Sequence, residues 1–145
     1  MSLDTGIGKI VIEVVHKIRP EDTVLDALRT MLEKDIGCLV VSGVGGPIGM
    51  VTEKDILRHV TVRRLDPGKV QVKEVMSTPL ISTAMDTSVG DAAKKMVESK
   101  VKRLVVMGED GSFLGLVTMT DIVRWVAQSK ELSDSLLDFL MYDVP

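Results

Sequence analysis

Two aspartates stand in the same chemical setting. Asp55 closes the stretch Gly49-Met-Val-Thr52-Glu-Lys-Asp55, and Asp121 closes Gly115-Leu-Val-Thr118-Met-Thr-Asp121, each three positions after a threonine. A carboxylate only accepts hydrogen bonds, so at the start of a helix it can take both vicinal hydroxyls of a ribose, while the threonine offers its hydroxyl to a phosphate. The first turn of such a helix adds its own attraction for a phosphate. The same Thr-x-x-Asp spacing also caps a helix with no ligand at all. Both readings stand at this level.

The two stretches are one pattern present twice, since Gly49 and Gly115, like Asp55 and Asp121, lie 66 positions apart. A repeat of that length marks two copies of one supersecondary unit. In the first copy, residues 9–15 read as a strand by their β-branched content. Thr23, with Asp26 three positions on, caps a helix whose apolar face is Val24, Ala27, Leu28, Met31 and Leu32. Residues 38–41 form a buried strand, 43–47 a turn and 48–51 the returning strand of a hairpin. Thr52 opens a second helix with Ile56, Leu57 and Val60 inward. The second copy repeats this order. Residues 78–83 lead it in, Ser88 and Asp91 cap a helix with Val89, Ala92, Ala93, Met96 and Val97 inward, 103–107 and 113–117 form the hairpin, and Thr118 opens the last helix. Ala27 and Ala92 are 65 apart, so the second copy carries one extra residue in its hairpin turn, where a repeat tolerates it.

Each copy therefore reads β-α-β-β-α, and the fold class is mixed α/β (α+β), two repeats packed about a pseudo-two-fold axis because neither covers its own sheet. The expected segments are repeat 1 over 9–62, a polar Pro-Gly linker over 63–69, repeat 2 over 70–128 and an acidic amphipathic tail over 129–145. At 145 residues the chain can bury a core without a metal or disulfide. Eighteen basic against twenty-one acidic residues argue against a dedicated nucleic-acid or membrane-surface binder. Nucleic-acid binding through Arg63, Arg64 and Lys69 is the remote alternative, against the net charge. No apolar run reaches the roughly 20 residues of a membrane span, and no secretory leader stands at the start, so a cytoplasmic protein is expected. The single Cys38 cannot form an internal bridge.

The doubled Thr/Ser-Val-x-x-Ala (Thr23 to Ala27, Ser88 to Ala92), Met31 and Met96, Leu-Val-Val at 39–41 and 104–106, and Gly-x-Val-Thr-x-x-Asp twice resemble a tandem CBS (cystathionine β-synthase) domain pair, the Bateman module. The resemblance covers about residues 9–128, and the first copy departs from it at 13–18, which lack a match to Met76-Ser-Thr-Pro79. It implies a stand-alone regulatory module for energy sensing, without enzymatic activity. Adenosine-containing ligands (AMP, ADP, ATP or S-adenosylmethionine) would bind in clefts between the repeats, and no further cofactor is required. It assigns nucleotide binding to Thr52, Asp55, Thr118 and Asp121. It also implies that basic side chains at a strand start reach the phosphate of the nucleotide held by the other repeat's aspartate. Lys100, Lys102 and Arg103 would then serve Asp55, while Asp121 would face neutral Gly37 and Cys38, making the sites unequal. A solvated basic edge is the alternative for those three. Ser82 and Thr83 fall where the family's first strand passes the base, or are plain sheet surface.

Other chemistry is sparse. His16 and His59 have no partner at ligand spacing, so no metal site is expected. No Ser-His-Asp set, paired catalytic carboxylates or phosphate-cradling glycine loop is visible, and Gly43-Val-Gly-Gly is a hairpin turn. The competing function is a purely structural or protein-interaction module with vestigial sites, for which the acidic tail speaks. Either way a homodimer is expected in which helices of two modules meet, with Leu132, Leu136, Phe139 and Leu140 of the tail on one stripe, and an unidentified protein is regulated.

Overall fold

The computed structural model describes residues 2–10, 15–128 and 134. Two three-stranded sheets carry the fold, ordered β1-β2-β3 and β4-β5-β6. The first copy runs β1 (Lys17–Ile18), α1 (Val24–Lys34), β2 (Cys38–Gly43), β3 (Gly46–Thr52) and α2 (Glu53–Ile56), which continues as a π-helical turn over Leu57–Thr61. The second runs β4 (Ser82–Ala84), α3 (Val89–Ser99), β5 (Arg103–Met107), β6 (Phe113–Thr118) and α4 (Met119–Ala127). In each sheet the short first strand lies parallel to the second, and the hairpin is antiparallel. Lys17 pairs with Val40 and Ser82 with Val105, so the two sheets have the same register. This is the β-α-β-β-α order expected, in a mixed α+β class.

The helices start where their caps dictate. Thr23 accepts from the Asp26 amide while Asp26 accepts from the Thr23 amide, a full capping box. Ser88 caps α3 through the Asp91 amide. At the other ends, Asp35 and Lys100 take the left-handed conformation, with φ of 53° and 56°, and stop α1 and α3 at matching positions. Behind each sheet face the helices bury Val24, Ala27 and Met31 in one copy and Val89, Ala92 and Met96 in the other. Two residues expected inside lie outside. Leu32 is 83% exposed and Leu57 is 55% exposed, because each follows a buried residue by one position, about 100° further round the helix.

The compact units do not follow the sequence repeats. Val15–Leu80 form one, and Met1–Val14 with Ile81–Pro145 form the other, each with its own apolar cluster. In the first, Gln71 bridges to Thr23, the Val24 amide donates to the Val70 carbonyl at 2.8 Å, and Val72 is fully buried. In the second, Gly6 bridges to Ser88, the Ile7 amide donates to the Thr87 carbonyl at 2.9 Å, and Ile7 is fully buried. Each lead-in segment thus docks beside the cap of the helix that belongs to the other sequence repeat. Of the strand expected over 9–15, Lys9 falls instead in the 3₁₀ turn Ile7–Lys9, the counterpart of the turn Val72–Glu74, and the first strand among the described residues is Lys17–Ile18. At Lys9, burial of Ile7 in the turn outweighs the local β propensity. Residues 11–14 lie outside the described residues, as does the stripe expected at 132, 136, 139 and 140.

Candidate functional site

In the unit of residues 15–80, Thr52 ends β3 opposite Cys38 and, in extended conformation, becomes the N-cap of α2. Its amide donates to Asp55 Oδ2 at 2.9 Å, and its hydroxyl accepts from the Asp55 amide at 3.2 Å. The hydroxyl also donates to Asp55 Oδ2 at 3.0 Å. A threonine has one hydroxyl hydrogen, and here it goes to Asp55, so a phosphate could draw on it only by breaking that bond. The helix donors are committed in the same way: the Glu53 amide donates to the Gly37 carbonyl at 3.1 Å, and the Asp55 amide to Thr52.

Asp55 is 7% exposed and is the one buried charged residue among those described. Its second oxygen, Oδ1, accepts from the hydroxyl of Ser77 at 3.0 Å. Ser77 is held there by its backbone, which exchanges two hydrogen bonds with Met50 at 2.8 and 3.1 Å, placing the lead-in segment alongside β3. The approach is so close that a Cβ on Gly49 would lie 2.8 Å from Met76 Sδ and 3.0 Å from both the Ser77 carbonyl oxygen and Thr78 Cγ2. Gly49 is therefore glycine for packing. Ser77 is the residue that sequence reasoning missed: it precedes the second repeat's strand, and no pattern internal to the first repeat points to it. The Met76-Ser-Thr-Pro79 motif was the available signal. Its counterpart 65 positions earlier, Ile12, has no hydroxyl.

In the other unit, Thr118 and Asp121 repeat the capping geometry. The Thr118 amide donates to Asp121 Oδ2 at 3.3 Å, its hydroxyl to the same oxygen at 2.5 Å, and the Asp121 amide to Thr118 Oγ1 at 3.1 Å. The Met119 amide donates to the Lys102 carbonyl at 2.9 Å. Asp121 Oδ1 meets Arg124 Nη1 at 3.3 Å, an i,i+3 ion pair whose arginine is 67% exposed. Around this corner, Arg103 lies opposite Thr118 at the start of β5 and is partly buried. Lys102 is exposed beside it, and Lys100 is the left-handed residue that ends α3. Ser82 and Thr83 on β4 pair two and three positions along β5 from Arg103. The Ser82 carbonyl accepts from Lys95 Nζ, and the hydroxyls of Thr83 and Thr87 are 2.8 Å apart. The structure thus brings Arg103, Thr118 and Asp121 to one sheet corner, with Ser82 and Thr83 further along. Thr52 and Asp55 belong to the other unit.

The shifted acids lie elsewhere. The hydrogen bond from Arg19, reinforced by its charge, holds the Asp22 carboxyl below its ordinary range against a partial desolvation. The hydroxyl and amide of Ser112 hold the Asp110 carboxyl low by hydrogen bonding alone. No group of three or more His, Cys, Asp or Glu side chains suited to a metal occurs among the described residues, and no helix among them is long and apolar enough to cross a membrane.

The family model described as "CBS domain" matches residues 7–62 and again 72–128. An uncharacterized protein of Methanopyrus kandleri is 32% identical over 120 residues, covering 82% of this chain and 61% of its own length. One from Methanocaldococcus jannaschii is 35% identical over 88% of this chain, which spans only 33% of that relative. Among solved structures, a candidate signal-transduction protein with CBS domains from Burkholderia ambifaria matches with a TM-score of 0.81 at 26% identity, covering 87% of this chain and 96% of that one. A hexameric CBS-CP12 protein from bloom-forming cyanobacteria matches with a TM-score of 0.74 at 29% identity, covering 81% and 69%.

Proposed function

Because this chain belongs to the CBS domain family and carries two such domains in tandem, a regulatory arrangement, we propose that it senses adenosine-containing ligands without catalysing a reaction. AMP, ADP, ATP and S-adenosylmethionine are the ligand class. The observation that carries this reading is the pair of carboxylates, Asp55 and Asp121, fixed by a capping threonine at equivalent strand-to-helix corners. In both, the capping bonds use Oδ2 and leave Oδ1 turned to a single hydroxyl or to an exposed arginine. Oδ1 is where ribose hydroxyls would be accepted. Lys100, Lys102 and Arg103 supply positive charge for phosphates, and Ser82 and Thr83 lie along the strand assigned to the base. Ligand occupancy would alter a surface read by a regulated protein in the cytoplasm. The hexameric relative supports self-association, for which a homodimer is the proposed form.

Calorimetric titration with AMP, ADP, ATP and S-adenosylmethionine tests this directly. Saturable binding that is lost in Asp55→Ala combined with Asp121→Ala supports it. No heat and no rise in melting temperature at millimolar ligand would refute it, because a ligand bound only by the folded state at a hundredfold excess over Kd adds about 2.7 kcal/mol. That result would favour the second reading, a structural or interaction module. The capping bonds favour that reading in one respect: threonine and aspartate satisfy each other and the helix amides by themselves.

A further inference from the structure

Resting on the nucleotide reading, we propose that Ser77 is the specificity-determining residue of the Asp55 site: its hydroxyl holds the place of one ribose hydroxyl, and a vicinal diol must displace it to bind. A carboxylate has about four lone-pair positions, two on each oxygen. At Asp55, the Thr52 amide and the Thr52 hydroxyl fill both positions on Oδ2. The Ser77 hydroxyl fills one on Oδ1. Among the described residues nothing fills the remaining position, whereas a diol brings two donors. Ser77 cannot drift aside freely, because its amide and carbonyl are both bonded to Met50 and its segment is pressed against Gly49. Only its side chain can rotate away. At Asp121 the corresponding oxygen is met by Arg124, two-thirds exposed, whose guanidinium returns to water with little loss. The Asp55 site therefore discriminates by hydroxyl number: a ligand with one ribose hydroxyl uses the open position, and a ligand with two must compete.

The test is titration of AMP and of 2′-deoxy-AMP into the full chain carrying Asp121→Ala, with Ser77 intact or changed to Ala. Ser77→Ala is expected to tighten AMP about three- to tenfold, the range of one net hydrogen bond, and to leave 2′-deoxy-AMP within about twofold. Ser77→Thr, which restores a hydroxyl, returns AMP affinity toward that of Ser77. If Ser77→Ala folds poorly, Ser77→Cys, a weak donor of similar size, shows the same direction with a smaller gain. Weaker AMP binding in Ser77→Ala, or an equal gain for both ligands, overturns the proposal while nucleotide binding stands. Absence of AMP binding to every variant and to the unmodified chain overturns both.

Discussion

Gly49→Ala is the perturbation whose size the structure fixes most directly. The added methyl would sit 2.8 Å from Met76 Sδ, 3.0 Å from the Ser77 carbonyl oxygen and 3.0 Å from Thr78 Cγ2. Met76 could swing its flexible end away, but the Ser77 carbonyl is backbone and is bonded to the Met50 amide at 3.1 Å. The lead-in segment must therefore move off β3, loosening the Met50–Ser77 pair and the Ser77–Asp55 hydrogen bond together. Overpacking of this kind costs about 1–3 kcal/mol, offset by about 0.4–1 kcal/mol because alanine narrows the unfolded ensemble. Net destabilisation is then on the order of 1–2 kcal/mol. For a chain near 150 residues that lowers Tm by roughly 2–8 °C. The control is Gly45→Ala, in the β2–β3 turn, where a Cβ meets nothing within 4 Å and only the unfolded-state gain of about 0.4–1 kcal/mol is expected. Calorimetric melting of both variants beside the unmodified chain decides it. Equal Tm values for Gly49→Ala and Gly45→Ala would refute the claim that Gly49 is required by packing.

Three further outcomes are expected. Arg103→Ala should cost about tenfold or more for AMP but much less for adenosine, given about 1.5–3 kcal/mol for a charge-assisted contact; equal losses for the two ligands in titration calorimetry count against its phosphate role. The Asp22 carboxyl is held below its ordinary value, near 3.8, first by the Arg19 hydrogen bond. Its contribution to stability is thus present above pH 3.8 and lost as pH falls through the lower folded value. Arg19→Ala should accordingly be less stable than the parent in urea at pH 6, and the gap should shrink toward pH 3; a constant gap would show that the pair is not the cause. A chain ending at Ser129 should lose self-association in light scattering if residues 130–145 help join two copies, and an unchanged molar mass would remove the tail from the interface.

Much of this was legible because it is local. Thr23 with Asp26, Thr52 with Asp55 and Thr118 with Asp121 each satisfy helix donors three residues away, so spacing alone places them. The hairpins follow from short β-branched runs around glycine turns. What the sequence hid is tertiary. Lys9 opens a segment of strand composition, yet Ile7 is drawn into the cluster around Val89 and Leu104, and the backbone turns over Ile7–Lys9. Leu32 and Leu57 fit an apolar count, but the narrow buried stripe passes them by. Ser77 bonds to a residue 22 positions earlier, across what reads as a linker, and periodicity has no term for such a contact.

The same fact explains why two copies of one motif need not act alike. Everything inside the motif is duplicated: the threonine hydroxyl, its bond to the carboxylate and the carbonyl that receives the first helix amide recur at both corners. The difference enters through what meets Oδ1, and in the first copy that group comes from outside the repeat. Arg124 has a counterpart 66 positions earlier in Arg58, but Arg58 sits in the π-helical turn of Leu57–Thr61, whereas Arg124 sits in the regular α4. The added residue per turn moves a side chain round the helix axis, and at Asp55 a serine hydroxyl, not a guanidinium, is the group on Oδ1. An anchored neutral donor and a mobile cation compete differently with an incoming ligand: the first by hydrogen-bond count, which salt leaves nearly unchanged, and the second by charge, which salt screens. Ionic strength should therefore shift ligand affinity at Asp121 more than at Asp55 for an uncharged nucleoside. Adenosine titrations of Asp55→Ala and Asp121→Ala at about 0.05 and 0.5 M salt measure this, and equal salt dependence in the two variants would show that the group on Oδ1 does not govern either site.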